Sequence, residues 1–195
     1  MLLSYVELVD GSKADSLHRY VKRLYEEDLK CAFELVVRQA LKVLKVKRCV
    51  LAVDTTKELY WGKNGFLNVR GIRHERGTCQ ASEWLVISMV KPVPIPLMAL
   101  PYRQGSDLAT LTIDLLKYVQ SVGLKVYQVL FDRGFYHAKL IDYLENKQSG
   151  RSWPYLMLVP RTDAVKKYVK QTDGTLGVFR HLMRYKKDKT TWKPG

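Results

Sequence analysis

The chain has 195 residues, 47% of them hydrophobic and 27% charged, a soluble globular composition that excludes disorder and collagen-like repeats. Lys and Arg number 33 against 19 Asp and Glu, a net charge of +14 with a pI near 9.7. So large a charge points to a polyanion as partner, nucleic acid or an anionic membrane. The membrane option weakens because the longest apolar stretch, Trp84 to Val90, ends at Lys91 and the prolines 92, 94 and 96, well short of the ~20 residues a spanning helix needs.

The opening MLLSYVELVD has no basic leader, and Glu7 and Asp10 interrupt its apolar run, so no signal peptide is expected. Leu17, Tyr20, Val21, Leu24 and Tyr25 then recur at helical spacing, as do Phe33, Val36, Val37, Ala40, Leu41 and Leu44 after Glu26-Glu27-Asp28. Lys42, Lys45 and Lys47 place cations at the end of the second pattern, where a helix dipole favours them. Two helices are predicted before residue 48.

The period then changes. Val50-Leu51-Ala52-Val53 reads as a short strand buried on both faces. Tyr60 to Val69, Gln80 to Val90 and Ile95 to Leu100 are further strands, with Asn64-Gly65 and Gly71 as turns among the early ones. A helix is predicted from Asp107 to Val122 with Leu108, Leu111, Leu115, Val119 and Val122 as its stripe, ended by Gly123. Val126 to Phe131 is a buried strand, Phe135 to Lys147 a helix burying Ala138, Ile141 and Leu144, Tyr155 to Val159 a strand, and Ala164 to Lys170 a short helix. A meander of strands followed by alternating helices and strands implies an α/β fold, a mixed sheet covered by helices on both faces. Cys31, Cys49 and Cys79 show no metal-ligand spacing and read as buried thiols of a reducing cytoplasm.

Two carboxylates stand at strand ends. Asp54 closes the first predicted core strand and Asp132 closes Val126 to Phe131, and ligands of open sheets bind at the carboxyl ends of strands. If the two strands are neighbours, the acids lie about 5 Å apart. Like charges that close call for a divalent cation, and hard oxygen ligands suit Mg²⁺ or Mn²⁺. The alternative is that each aspartate caps a turn after its strand.

The surrounding strings narrow the choice. Asp54 lies in VLAVDTTKELYWGK, with Tyr60-Trp61-Gly62-Lys63 following, and Asp132 opens Asp132-Arg133-Gly134-Phe135-Tyr136. Together with Gly77-Thr78 and Leu100-Pro101, these strings resemble the DDE-type insertion-sequence transposases, in a branch common in archaea. The resemblance implies a ribonuclease-H-like core over residues 48–170, preceded by a helical segment over 1–47 and followed by a basic segment over 171–195. It implies DNA transposition by metal-dependent cleavage and strand transfer, with DNA (transposon ends and target) as partner, a homodimer as a compatible assembly, and a cytoplasmic, nucleoid-associated location without a membrane. In the two-metal chemistry of that family, one ion activates a water or 3′-hydroxyl and the other stabilises the leaving oxygen. Asp54 would bridge both ions and Asp132 would hold one. Arg133 would bind a DNA phosphate as a planar fork, or else pair with a neighbouring acid. Gly134 would let the backbone turn, Phe135 and Tyr136 would pack at a helix start, and His74 and His137 show no metal spacing.

The family's third acid, a glutamate in a tyrosine–arginine–glutamate–lysine signature, has no counterpart here. Glu145 is predicted ~18 Å down a helix from Asp132, and Asp163 reads as a helix N-cap. Val178 to Tyr185 and Thr190 to Trp192 look strand-like, where related transposases carry a β-rich insertion. The expectation is therefore a truncated, inactive transposase, with a non-catalytic DNA-binding remnant or regulator as the alternative. Arg161 to Gly195 holds ten Lys or Arg against three Asp. Lys186, Lys187 and Lys189 are its candidate DNA-binding residues, with Tyr185 and Trp192 available to sugars or unpaired bases.

Overall fold

Twelve residues, Arg48–Leu59, form the strand on which the sheet is built. We describe the fold from a computed structural model covering residues 26–62, 69–146, 153–172, 177–178, 183–188 and 191–194. The chain divides into two compact units, Met1–Leu44 and Lys45–Gly195.

In the first unit, helix α1 spans Glu26–Val43, with Lys42 in its last turn. The acidic triplet predicted to precede the helix lies within it. Of the predicted apolar face, Val37 and Leu41 are buried, whereas Phe33, Val36 and Leu44 are exposed. The earlier predicted helix, Leu17 to Tyr25, lies outside the described residues.

The second unit runs β1 (Arg48–Leu59), β2 (Val69–Glu75), β3 (Thr78–Lys91), β4 (Ile95–Pro101), α2 (Leu108–Val122), β5 (Lys125–Phe131), a 3₁₀ turn (Arg133–Phe135), α3 (Ala138–Glu145), β6 (Tyr155–Met157), α4 (Asp163–Gln171), β7 (Arg184–Asp188) and β8 (Thr191–Pro194). Six strands make one mixed sheet in the order β2-β3-β1-β5-β6, with β4 also on β3. β3 is antiparallel to β1; β2 pairs with the first part of β3 and β4 with the later part, both antiparallel, so they succeed each other along one edge. β5 is parallel to β1, and β6 is parallel to β5. An antiparallel meander leading into parallel strands through helical crossovers is the ribonuclease-H-like α/β arrangement expected from the sequence. β7 and β8 form a separate antiparallel hairpin.

One face of the sheet carries the core. Cys49, Leu51 and Val53 of β1, Leu85, Ile87 and Met89 of β3, and Val129 and Phe131 of β5 are all buried there. Helix α2 packs against β3, β4 and α3 and buries Ala109, Thr112, Ile113, Leu115, Leu116 and Val119, a wider face than the predicted stripe. Helix α3 buries Leu140 and Leu144 rather than Ala138 and Ile141. The alternate residues, Val50 and Ala52, Val86 and Ser88, and Gln128 and Leu130, stand on a second face and are half-buried.

Several boundaries differ from the sequence reading. β1 continues past Val53 because β3 pairs with it as far as Leu59. Residues 63–68, with the predicted Asn64-Gly65 turn, lie outside the described residues, and Gly71 is inside β2, paired with Gln80. The β2–β3 turn is instead Arg76-Gly77, both at positive φ (46° and 84°), the conformation a two-residue hairpin requires and glycine supplies without strain. Gly123 ends α2 in the left-handed region as predicted. The three thiols are free, but Cys49 alone is buried; Cys31 and Cys79 are exposed, since α1 leaves much of its surface to solvent and β2–β3 is an edge hairpin.

Asp107 caps α2, accepting from the Ala109 amide and from Thr110 Oγ1, and Lys139 Nζ of α3 lies 2.7 Å from its Oδ2. Lys139, then Thr110, holds the Asp107 carboxyl at about 2, below its ordinary 3.8. A lowered carboxyl pKa stabilises the fold above the unfolded value and stops doing so as pH falls through the folded one. Both side chains are nearly half exposed, so solvent screening reduces the effect to about 1 kcal/mol. Asp107→Ala is expected to cost that much at pH 7, and the difference from wild type to fade between pH 4 and pH 2, as read by urea denaturation.

Candidate metal and nucleic-acid site

Asp54 and Asp132 are placed by strand register. Val53 of β1 pairs with Phe131 of β5 in the parallel ladder, so the next residues, Asp54 and Asp132, stand side by side at about one strand spacing, ~4.8 Å. Val53 and Phe131 both point into the core. Asp54 pairs across β3 with the half-buried Val86, and Asp132 is extended (φ −73°, ψ 167°). Alternation therefore sends both carboxylates to the second face, and both are exposed. Asp54 does not end its strand, as the sequence suggested. It marks where the β5 pairing stops while β1 and β3 run on as an antiparallel pair.

The Thr55 amide donates to Asp54 Oδ1 at 2.8 Å, a fixing contact that sequence reasoning missed. Asp132 caps the 3₁₀ turn without a side-chain hydrogen bond. Neither carboxylate has a cationic partner among the described residues.

Around them, Arg133 is exposed and makes no ion pair among the described residues. Phe135 is buried, its ring 5.7 Å from that of Phe131, the packing role expected. Burial and Tyr168 raise the half-buried Tyr136 hydroxyl's pKa. His74 and His137 are exposed. Tyr60 folds back over Gly62, where a β-carbon would collide with its ring; Lys63 lies outside the described residues. Gly134 corrects an expectation: its φ is not positive and an added β-carbon meets nothing within 4 Å, because a 3₁₀ turn needs no left-handed residue. Gly134→Ala is accordingly expected to leave the melting temperature within about 2 °C of wild type, since strain-free surface changes stay within ~0.5 kcal/mol.

The remaining acids lie elsewhere. Glu145, at the far end of α3, accepts from Tyr155 Oη at 2.7 Å and, with burial as the larger cause, raises that phenol's pKa. Asp163 is not the cap of α4; Thr162 is, accepting from the Val165 amide, and Asp163 pairs with Lys166 at 3.0 Å. Thr162 takes the cap because its extended backbone lets a hydroxyl reach the third amide. Glu58 shares a strand with Asp54 but is four residues on, about 13 Å. Among the described residues no group of three His, Cys, Asp or Glu could hold a metal ion. Lys186 and Lys187 lie on β7, and Lys189 falls outside the described residues. No described helix is long and apolar enough to cross a membrane.

No protein-family model matches the chain, and no curated protein matches it. Among solved structures it is similar to a piggyBac transposase, in a cryo-EM structure of its synaptic complex with hairpin DNA, at 10% identity and a TM-score of 0.45. The likeness covers 85% of this chain and 37% of that one.

Proposed function

We propose that the chain is a DDE-type transposase core, built for metal-dependent DNA cleavage and strand transfer, with Asp54 and Asp132 as two of its metal ligands. The observation that carries this reading is the register of β1 and β5. It sets two exposed carboxylates side by side with no cationic partner among the described residues, in a chain that has 33 Lys and Arg. Like charges at one strand spacing repel, and a protein with so many cations to spare would quench a purely structural pair.

The donor set fits Mg²⁺ or Mn²⁺: hard oxygens, accessible on an open face, one oriented by the Thr55 amide. A divalent ion there would supply Lewis-acid activation of a phosphoryl oxygen and of an attacking hydroxyl or water. Arg133, next to Asp132 and exposed, would hold a substrate phosphate, and the basic segment from Arg161 onward would track the DNA backbone. With two carboxylates of a three-acid unit, the 195-residue chain binds metal and DNA but does not by itself transfer strands, because members of such a unit act together.

The test compares DNA binding and cleavage in Mg²⁺, in Mn²⁺ and in chelator. Affinity for DNA is expected to rise in either metal, with the rise lost in Asp54→Asn, and no strand transfer is expected from the chain alone. Equal affinity in chelator would leave a DNA-binding module without chemistry. Robust metal-dependent strand transfer would reveal a third ligand, for which Asp163→Ala is the first variant to examine.

A further inference from the structure

At the end of the sheet away from Asp54 and Asp132, Arg48 of β1 and Lys125 of β5 are register neighbours. Like charges directly opposite each other on adjacent strands destabilise a sheet. Both side chains are exposed, and neither has an acidic or hydrogen-bonding partner among the described residues.

One step along, the ladder slips: Cys49 pairs with Val126, but Val50 pairs with Gln128. Tyr127 is the extra residue, a β-bulge in a parallel pair, where bulges are rare and serve to re-aim a side chain. The result is a tyrosine 68% exposed, just before the stretch Val129 to Phe131 where β6 also pairs with β5. The bulge is tied on both sides. Cys49 Sγ donates to the Lys125 carbonyl at 3.8 Å, and the Val129 amide donates to the Pro154 carbonyl at 2.9 Å. Arg48, Lys125, Val126, Tyr127, Gln128 and Pro154 line one cavity of about 440 Å³.

We propose that this cavity binds one nucleotide of a single-stranded nucleic acid, with its phosphate between Arg48 and Lys125 and its base against Tyr127. Two cations with no acidic partner among the described residues call for an anion. A bare phosphate would leave the ejected ring without a purpose and most of the volume unfilled, since cavities of this size hold a whole small molecule. A base has a flat face for Tyr127 and polar edges for the Gln128 carboxamide, which both donates and accepts. A base within a duplex is already stacked on both faces, so the strand here is single.

Arg48 and Asp54 lie on the same face of β1, six residues or about 20 Å apart. This spacing rests on the proposed metal site, whereas the nucleotide site does not, and the experiment keeps the two apart by working in chelator.

A 15-nucleotide oligo-deoxythymidine carrying one 5-iododeoxyuridine is irradiated with the full chain in EDTA, and the crosslinked residue is identified by mass spectrometry. The crosslink is expected at Tyr127, and a duplex of the same length is expected to give none there. Tyr127→Ala should remove the crosslink and weaken oligonucleotide binding about tenfold, within the range for loss of one stacked base, and Tyr127→Phe should retain affinity. Arg48→Gln and Lys125→Gln should each weaken binding several-fold and flatten its salt dependence. All are exposed positions, and melting curves verify that each variant is folded. Every measurement is made in chelator, where no divalent ion contributes, so a failed metal site leaves this result intact. Crosslinks mapping elsewhere, an equal Tyr127 crosslink from duplex, or unchanged affinity in both cation variants would overturn the proposal.

Discussion

Replacing Asp54 or Asp132 by asparagine is expected to lower Mn²⁺ affinity at least tenfold and to leave the fold intact, marginally more stable at neutral pH. The two effects have one cause. The register that pairs Val53 with Phe131 fixes the following carboxylates side by side, so each raises the electrostatic cost of the other's charge and each adds to the attraction for a cation. Asparagine keeps the size and, at position 54, keeps an oxygen for the Thr55 amide, but it removes the charge. The gain in stability is a few tenths of a kcal/mol, as for exposed pairs generally. Titration of Mn²⁺ by electron paramagnetic resonance reads the first effect and urea denaturation the second. Asp163→Asn, which alters an acid already paired with Lys166, serves as the control and should leave Mn²⁺ binding unchanged. Wild-type Mn²⁺ affinity in both Asp54→Asn and Asp132→Asn would remove the metal site.

The layout of the core was legible because its signals are local. Continuous apolar runs marked the middles of β1 and β5, helical spacing marked α2, and Gly123 marked its end. What sequence reasoning missed depended on partners. Thr55 to Glu58 are polar and exposed, so nothing in them announces a strand, yet β3 holds them as one through its own backbone. Aspartate is also depleted in strands, so Asp54 read as a terminus when it is an interior residue of β1. The adjacency of the two acids could be posed as a condition on strand order but not read, because register is a property of the sheet. Tyr127 was invisible for a related reason. A bulge is a mismatch between two strands, and neither strand alone carries its signature. The burial of α1 was misjudged because periodicity defines an apolar face without saying which of its residues a neighbour covers.

Neutralising Lys186, Lys187 and Lys189 together, as glutamines, is expected to weaken duplex DNA binding more than tenfold at moderate salt. Arg161 to Gly195 holds ten of the chain's 33 cations against three acids, a density suited to a phosphate-tracking surface. Lys186 and Lys187 lie on β7, a short strand paired with β8, with Trp192 of β8 in register with Lys186. Each phosphate contact releases about 0.9 counterion from B-DNA, so removing three should reduce the slope of log affinity against log salt by about 2.7. That change in slope separates direct contact from a general loss of positive charge, which would lower affinity without removing discrete contacts. The nucleotide cavity at Arg48, Lys125 and Tyr127 provides the contrast. Its variants should act on single strands with little effect on duplex, and the lysine variant should act on duplex whatever the state of Tyr127. Fluorescence anisotropy with labelled duplex across a salt series reads both quantities. If the triple variant binds duplex with unchanged affinity and slope, the segment is a solvated charged surface and the DNA lies elsewhere on the chain.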